Sequence, residues 1–219
     1  MLVEKYSADL QKISKKIQNR VQLGNREINT LVMLAESLGY DFNKRNALLV
    51  DLGCGDQHLI EGVKKLNYNY EGLDIQDLNF EFDKLPFESN SVDIVVSLAV
   101  IEHISNPNLF LSEIYRVLKK GGFVYLSTPN FQLDSRNFYN DPTHCKPYTP
   151  ISLERILRMY HFSDINTFPG LRCKNIWFYK GKYRFLKGYY LFPFKGNFNW
   201  VPRFLKGKST SIIALAFKN

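Results

Sequence analysis

The chain has 219 residues, 45% of them hydrophobic and 23% charged, which fits a single folded domain and excludes disordered and fibrous classes. Its formal net charge of +8 is local: residues 171–208 hold ten Lys and Arg and no Asp or Glu, so the rest of the chain is slightly acidic. Three scattered cysteines, Cys54, Cys145 and Cys173, match neither a disulfide framework nor a zinc spacing, and no apolar run is long enough to span a bilayer. With no signal-peptide pattern at Met1–Lys16 either, the expectation is a cytoplasmic protein with free thiols and no metal site.

Residues 4–38 carry apolar positions at helical spacing in two runs, Leu10, Ile13, Ile17, Val21 and then Ile28, Leu31, Val32, Leu34, Ala35. Gly24 and Asn25 separate the runs and Gly39 ends the second, which predicts two helices before the first strand. Residues 1–44 are therefore expected to form a helical extension, and 45–219 the main domain.

From Ala47 onward strand and helix signals alternate. Ala47–Leu52 is a short apolar strand ending in glycine, 57–66 reads as helix, and Tyr70–Ile75 as a second strand. Phe80–Asp83 predicts a brief third strand and Val92–Leu98 a β-branched fourth. Leu111, Ile114, Val117 and Leu118 define a helix over 108–118, closed by Lys119-Lys120-Gly121-Gly122 and followed by a strand at Phe123–Ser127. A further helix follows Pro150 with Ser152 as its cap, then strands at Ser163–Phe168 and Ser211–Phe217. Such alternation implies a mostly parallel sheet covered by helices on both faces.

The turn Asp51-Leu52-Gly53-Cys54-Gly55 joins a buried strand to a helix, and glycine there lets a ligand approach the backbone. Alone it equally suits a dinucleotide site, although His58 stands where the last glycine of that fingerprint belongs. Further segments narrow the choice: Tyr70-Glu71-Gly72-Leu73-Asp74 places a carboxylate about 20 residues on, suited to ribose hydroxyls. Leu85-Pro86-Phe87-Glu88-Ser89-Asn90-Ser91-Val92-Asp93, Ile101-Glu102-His103-Ile104 and Arg116-Val117-Leu118-Lys119-Lys120-Gly121-Gly122 complete the set.

On these motifs, over residues 45–165, the chain resembles the class I S-adenosylmethionine-dependent methyltransferases. The resemblance implies a Rossmann-like α/β fold with a seven-stranded sheet, order 3-2-1-4-5-7-6, the last strand antiparallel. It implies S-adenosylmethionine as cofactor and S-adenosylhomocysteine as product. Gly53, Cys54 and Gly55 would face the methionine portion, with Asp51 supporting the turn or reaching its amino group, and Asp74 would bind the ribose. Ile75 would flank the adenine, Asp83 or Leu85 would meet its polar edge, and Ser97 and Leu98 would line the site. The chain departs from the family pattern at Gln57, where the fuller motif has a third glycine, and in the short stretch between strands two and three.

Methyl transfer from a sulfonium needs alignment, and a hydroxyl acceptor also needs help losing its proton. His103 and His144, each expected beyond the carboxyl end of a strand, are the candidates, with Asp141 orienting the His144 imidazole and Tyr148 shaping the pocket. Asp141-Pro142-Thr143-His144 with Pro147-Tyr148-Thr149 resembles a loop in methyltransferases of cell-envelope and O-antigen polysaccharide synthesis, which implies sugar O-methylation.

Residues 171–208 interrupt the strand rhythm with cations and aromatics, among them Trp177, Tyr183, Phe192 and Trp200. They fit a folded cap, a peripheral contact with anionic lipid at the inner membrane face, or recognition of a phosphorylated or nucleic-acid acceptor. A lipid-linked, phosphorylated glycan satisfies the last two together and is preferred to RNA. The alternatives are a small lipophilic acceptor such as a quinone precursor, with the insertion as lid, and a non-catalytic cofactor- or partner-binding module. Sequence does not decide the oligomeric state.

Overall fold

The computed structural model describes residues 20–44, 46–170 and 209–219. Helix α1 (Arg20–Ser37) leads to β1 (Leu48–Leu52), the short α2 (Ile60–Lys64) and β2 (Asn69–Leu73). Strand β3 (Val92–Leu98) runs into one 3-10 turn (Ile101–His103), then α3 (Asn108–Val117) and β4 (Leu118–Pro129). Next come α4 (Phe131–Phe138), α5 (Pro150–Met159), β5 (Ser163–Pro169) and β6 (Ser211–Phe217).

Among the described residues, six strands form one sheet in the order β2-β1-β3-β4-β6-β5. The first four of these are parallel, and β6 is antiparallel to both neighbours. Alternate residues of the central strands feed two cores, as period-two side-chain geometry requires. Val50, Leu52, Val95 and Leu126 pack with Phe110 and Ile114 of α3 and Leu153 and Leu157 of α5. Leu49, Ile94, Val96 and Phe123 pack on the opposite face with Ile28, Leu31, Leu34 and Ala35 of α1. Both faces are covered, so β1 and β3 read as near-continuous apolar runs.

The strand order is the implied one without its outermost strand. Residues 80–83 are turn, because Asn79 donates its amide to the Asp83 carboxylate at 2.7 Å and accepts the Asp83 amide at 2.8 Å. That closed loop uses the backbone groups an edge strand would have paired.

Three smaller expectations also change. Gly24 does not break a helix: α1 runs through it, and a Cβ at that position would stand 1.7 Å from the His58 carbonyl oxygen, so the glycine allows α1 to approach the chain before α2. Helix α3 ends at Val117, and Lys119 to Gly122 belong to β4, with Gly121 at φ +75°. The cap of α5 is Thr149, with Ser152 as its reciprocal partner in a capping box. Helix α4 has no counterpart in the sequence expectation. The proposed helix over the first residues and the insertion at 171–208 lie outside the described residues.

Candidate active site

The carboxyl ends of β1, β2, β3 and β4 open on one edge of the sheet, where ligands of open α/β folds bind. Just beyond β1, Gly53 adopts φ +81° and Gly55 φ +51°. A Cβ at Gly53 would lie 2.2 Å from Val100 Cγ2, so only glycine fits between the turn and the segment after β3. The Gly53 and Cys54 amides donate to the Leu73 carbonyl at 2.7 and 3.2 Å, tying the turn to the end of β2.

Asp74 follows immediately. Its carboxylate accepts the Gly55 amide at 3.1 Å and the Ile75 amide at 2.8 Å, so it is held against the glycine turn as an acceptor. Ile75 is 55% exposed. Gln57, in place of a third glycine, still takes φ +55°.

Asp51 is 2% exposed and accepts a hydrogen bond from the Tyr70 hydroxyl at 2.9 Å. Burial pushes its carboxyl up to about 7, with Asp74 and Asp56 adding to the rise and Tyr70 opposing it. Cys54 is buried under the turn and its thiol is likewise pushed up to about 12, chiefly by burial, so it fills space and does not ionise near pH 7. On β3, Ser97 is buried with no hydrogen-bond partner for its hydroxyl among the described residues, beside half-buried Leu98.

These features fit S-adenosylmethionine: a glycine cradle no side chain can enter, an anchored carboxylate for a ribose, a buried acid for an amino group and an unpartnered hydroxyl. One residue fits less well. Leu85 is in the core with its amide on Glu113 at 2.8 Å and its carbonyl on Arg116 at 3.0 Å, so its backbone groups are committed within the fold. Asp83 is exposed and accepts the Asn79 amide through Oδ2.

The second half of the site is built after β3. Ala99 turns the chain with φ +57°, and the 3-10 turn carries Glu102 and His103. Glu102 is buried, its Oε2 accepting the Thr128 hydroxyl at 3.0 Å, while its carbonyl accepts the Cys145 and Lys146 amides at 2.9 and 3.0 Å. Those bonds stitch the loop after α4 beneath the turn, and they bring the His103 and His144 rings to 4.7 Å between centroids.

Each imidazole is oriented through Nδ1. The Thr143 hydroxyl donates to Asp141 Oδ1 at 2.6 Å, so its oxygen accepts the His103 Nδ1–H at 2.8 Å. His144 donates Nδ1–H to the Phe138 carbonyl at 2.7 Å. This corrects one expectation: the Phe138 carbonyl, not Asp141, orients His144, and Asp141 Oδ2 stands 3.9 Å from its Nε2. Tyr148 is 2% exposed, its hydroxyl without a partner among the described residues, so it supports the site from the core.

Burial holds His103 below the ordinary histidine value, His144 adds to the shift and Asp141 opposes it. Although burial acts to raise Asp141, the Thr143 hydroxyl and amide and the two histidines hold its carboxyl below the usual range. The arrangement is therefore a neutral imidazole beside an ionised carboxylate. Sequence reasoning brought forward both histidines and Asp141 but gave no role to Glu102, Thr143 or Thr128, whose only signal was adjacency to the histidines or to a strand end.

Known proteins are similar along these lines. The family described as methyltransferase domain matches residues 24–166. A Mycolicibacterium smegmatis protein named "Probable S-adenosylmethionine-dependent methyltransferase" is 41% identical over 138 residues, 54% of this chain and 53% of that protein. "Ubiquinone biosynthesis O-methyltransferase" of Pelagibacter ubique is 26% identical over 112 residues, 43% of this chain and 47% of the relative. The chain thus spans about half the length of these curated relatives. A SAM-dependent methyltransferase from Archaeoglobus fulgidus shares the fold, with a TM-score of 0.62 at 19% identity, covering 95% of this chain and 99% of that one. With a family match over more than half its length, the chain belongs to the methyltransferase domain family, whose methyl donor is S-adenosylmethionine.

Proposed function

We propose that this protein transfers a methyl group from S-adenosylmethionine to a hydroxyl oxygen of a small ring-bearing acceptor of the quinone-precursor type. When bound, the cofactor supplies a methyl carbon on a sulfonium, from which the sulfur departs with the electron pair as the acceptor oxygen attaches. The chain's own residues do the rest. Gly53, Gly55 and Asp74 hold the donor, and Asp51 pairs with its amino group. Val100, which fills the space beside Gly53, leads directly into the turn bearing His103, so donor and histidine pair share one cleft.

The observation that carries the reading is the His103–His144 pair with both Nδ1 atoms committed to hydrogen bonds. Each ring keeps its Nε2 lone pair for promoting loss of the acceptor's proton. Relatives named as ubiquinone biosynthesis O-methyltransferases support oxygen as the accepting atom.

Transfer from isotopically labelled S-adenosylmethionine to dihydroxylated aromatic acceptors and to glycans tests this. Methylation of an aromatic hydroxyl, reduced about 100-fold or more in His144→Ala with cofactor binding retained, is the expected result. An unchanged rate in that variant overturns the role of the pair. Transfer to glycans alone overturns the acceptor class and favours the sugar hydroxyl that the Asp141–His144 loop resemblance implies.

A further inference from the structure

Glu102, His103 and His144 each offer one ligand atom, and these atoms lie within 4.8 Å of one another. They come from two segments, the turn after β3 and the loop after α4, which the paired amide bonds from Cys145 and Lys146 to the Glu102 carbonyl hold together. The set is pre-organised in a way general acid–base chemistry alone does not need. Histidines that bind metal usually donate the other ring N–H to a carbonyl, hydroxyl or carboxylate, which fixes the tautomer and turns the lone pair to the ion. Here both rings do so, through the Thr143 hydroxyl, itself anchored on Asp141, and through the Phe138 carbonyl. Both lone pairs are therefore on Nε2. The carboxylate is ordered as well, with the Thr128 hydroxyl on Glu102 Oε2.

We propose that Glu102, His103 and His144 bind one divalent transition-metal ion, of the kind that accepts imidazole and carboxylate together, at the acceptor end of the cleft. Two imidazoles and a carboxylate suit Zn2+ or Mn2+ better than the all-oxygen preference of Mg2+ or Ca2+. Metal–ligand bonds of about 2.0–2.2 Å place ligand atoms roughly 3 to 3.5 Å apart, so these side chains close by about 1 Å on binding. Two carboxylates, Glu102 and the nearby Asp141, offset the ion's double charge. Three protein ligands leave at least one coordination position open, the pattern of catalytic and not of structural sites. An acceptor hydroxyl coordinated there releases its proton to solvent more readily.

The inference rests on the reading of His103 and His144 as acceptor-side groups and specifies how they act: they hold an ion, which in turn activates the hydroxyl. Sequence spacing could not have suggested it, since His144 lies on a loop far along the chain from Glu102 and His103.

Chelator-treated full-length protein titrated with Zn2+ by calorimetry, and with Co2+ followed by its visible absorption, tests the site. One ion per chain is expected, with binding weakened more than about tenfold in His103→Ala and His144→Ala. Thr143→Val, which keeps every ligand but removes the partner of His103 Nδ1, should weaken it by about tenfold. His161→Ala, on the far side of α3 beside Tyr115, should match the wild type. Should either alanine variant fail to fold, Thr143→Val and His103→Gln carry the comparison. No binding by the wild type, or equal binding by the ligand variants, overturns the proposal. Titration of the metal-free protein with S-adenosylmethionine separates the two readings. Donor binding without ion binding sinks only the metal site, and ion binding without donor binding sinks only the methyltransferase reading.

Discussion

Asp51 shows how one residue couples fold and ligand. It lies one residue before the end of a strand buried on both faces, accepts the Tyr70 hydroxyl, and keeps its proton up to about pH 7. The unfolded chain ionises it near the ordinary carboxylate value, so between that value and pH 7 the folded state binds more protons. This group therefore costs stability as pH rises across the window. A cation brought against it reverses the preference and expels the proton. At pH 6, S-adenosylmethionine binding should release close to one proton per site, measured by calorimetry in buffers of differing ionisation enthalpy, and Asp51→Asn should abolish that release. Sequence could single out Asp51, Gly53, Gly55 and Asp74 because their constraint is local: a turn, a positive φ, a strand end. It could not reveal that Leu85 turns its amide onto Glu113, or that Phe138 and not Asp141 orients His144, because those partners arrive through tertiary packing.

Between elements, α1 packs closely on α2. The Gly24 position touches the His58 carbonyl and a Cβ at Gly62 would meet Ile28 at 2.7 Å, so two glycines let the helices nest. Arg20 of α1 pairs with Asp56 of the glycine turn, and Lys65 donates to Asn25 at 2.7 Å. This brings α1 into register with the cofactor loop. Gly24→Ala gains helix propensity yet must push α1 outward, and the steric term should win, costing about 1–3 kcal/mol and lowering the melting temperature by several degrees. An unchanged or raised melting temperature would show that α1 shifts freely. The glycine reads as a helix break in the sequence because intrinsic propensity is all one chain displays, whereas its real constraint is a neighbour. The same limit explains residues 80–83, whose β-like Phe80 and Phe82 are overruled by the Asn79–Asp83 loop, and α4, whose apolar pattern is too weak to stand out.

At the scale of the molecule, strand–helix alternation with short connections made a mostly parallel sheet legible, and the family resemblance supplied both the strand order and the antiparallel final strand. That strand, β6, lies between β4 and β5 and buries Ile212, Ile213, Ala214, Leu215 and Ala216. Residues 212–216 are thus an interior element. Deleting residues 211–219 should leave β4 and β5 without a shared partner and yield insoluble or unfolded protein, read by loss of the cooperative melt. A soluble, cooperatively melting truncation would mean that the four parallel strands suffice.

Gly170 and Ser209, which bracket residues 171–208, are fastened to one another. The Ser209 hydroxyl donates to the Gly170 carbonyl at 2.9 Å, and the Gly170 amide to the Ser211 carbonyl at 2.8 Å. Such a clasp makes the gap between β5 and β6 a socket. Because doubling the length of a closed loop costs only about 0.6 kcal/mol, segments of very different size and charge can be exchanged there while the sheet stays intact. Closure of the sheet at this point therefore does not depend on the length of chain between the two fastened residues.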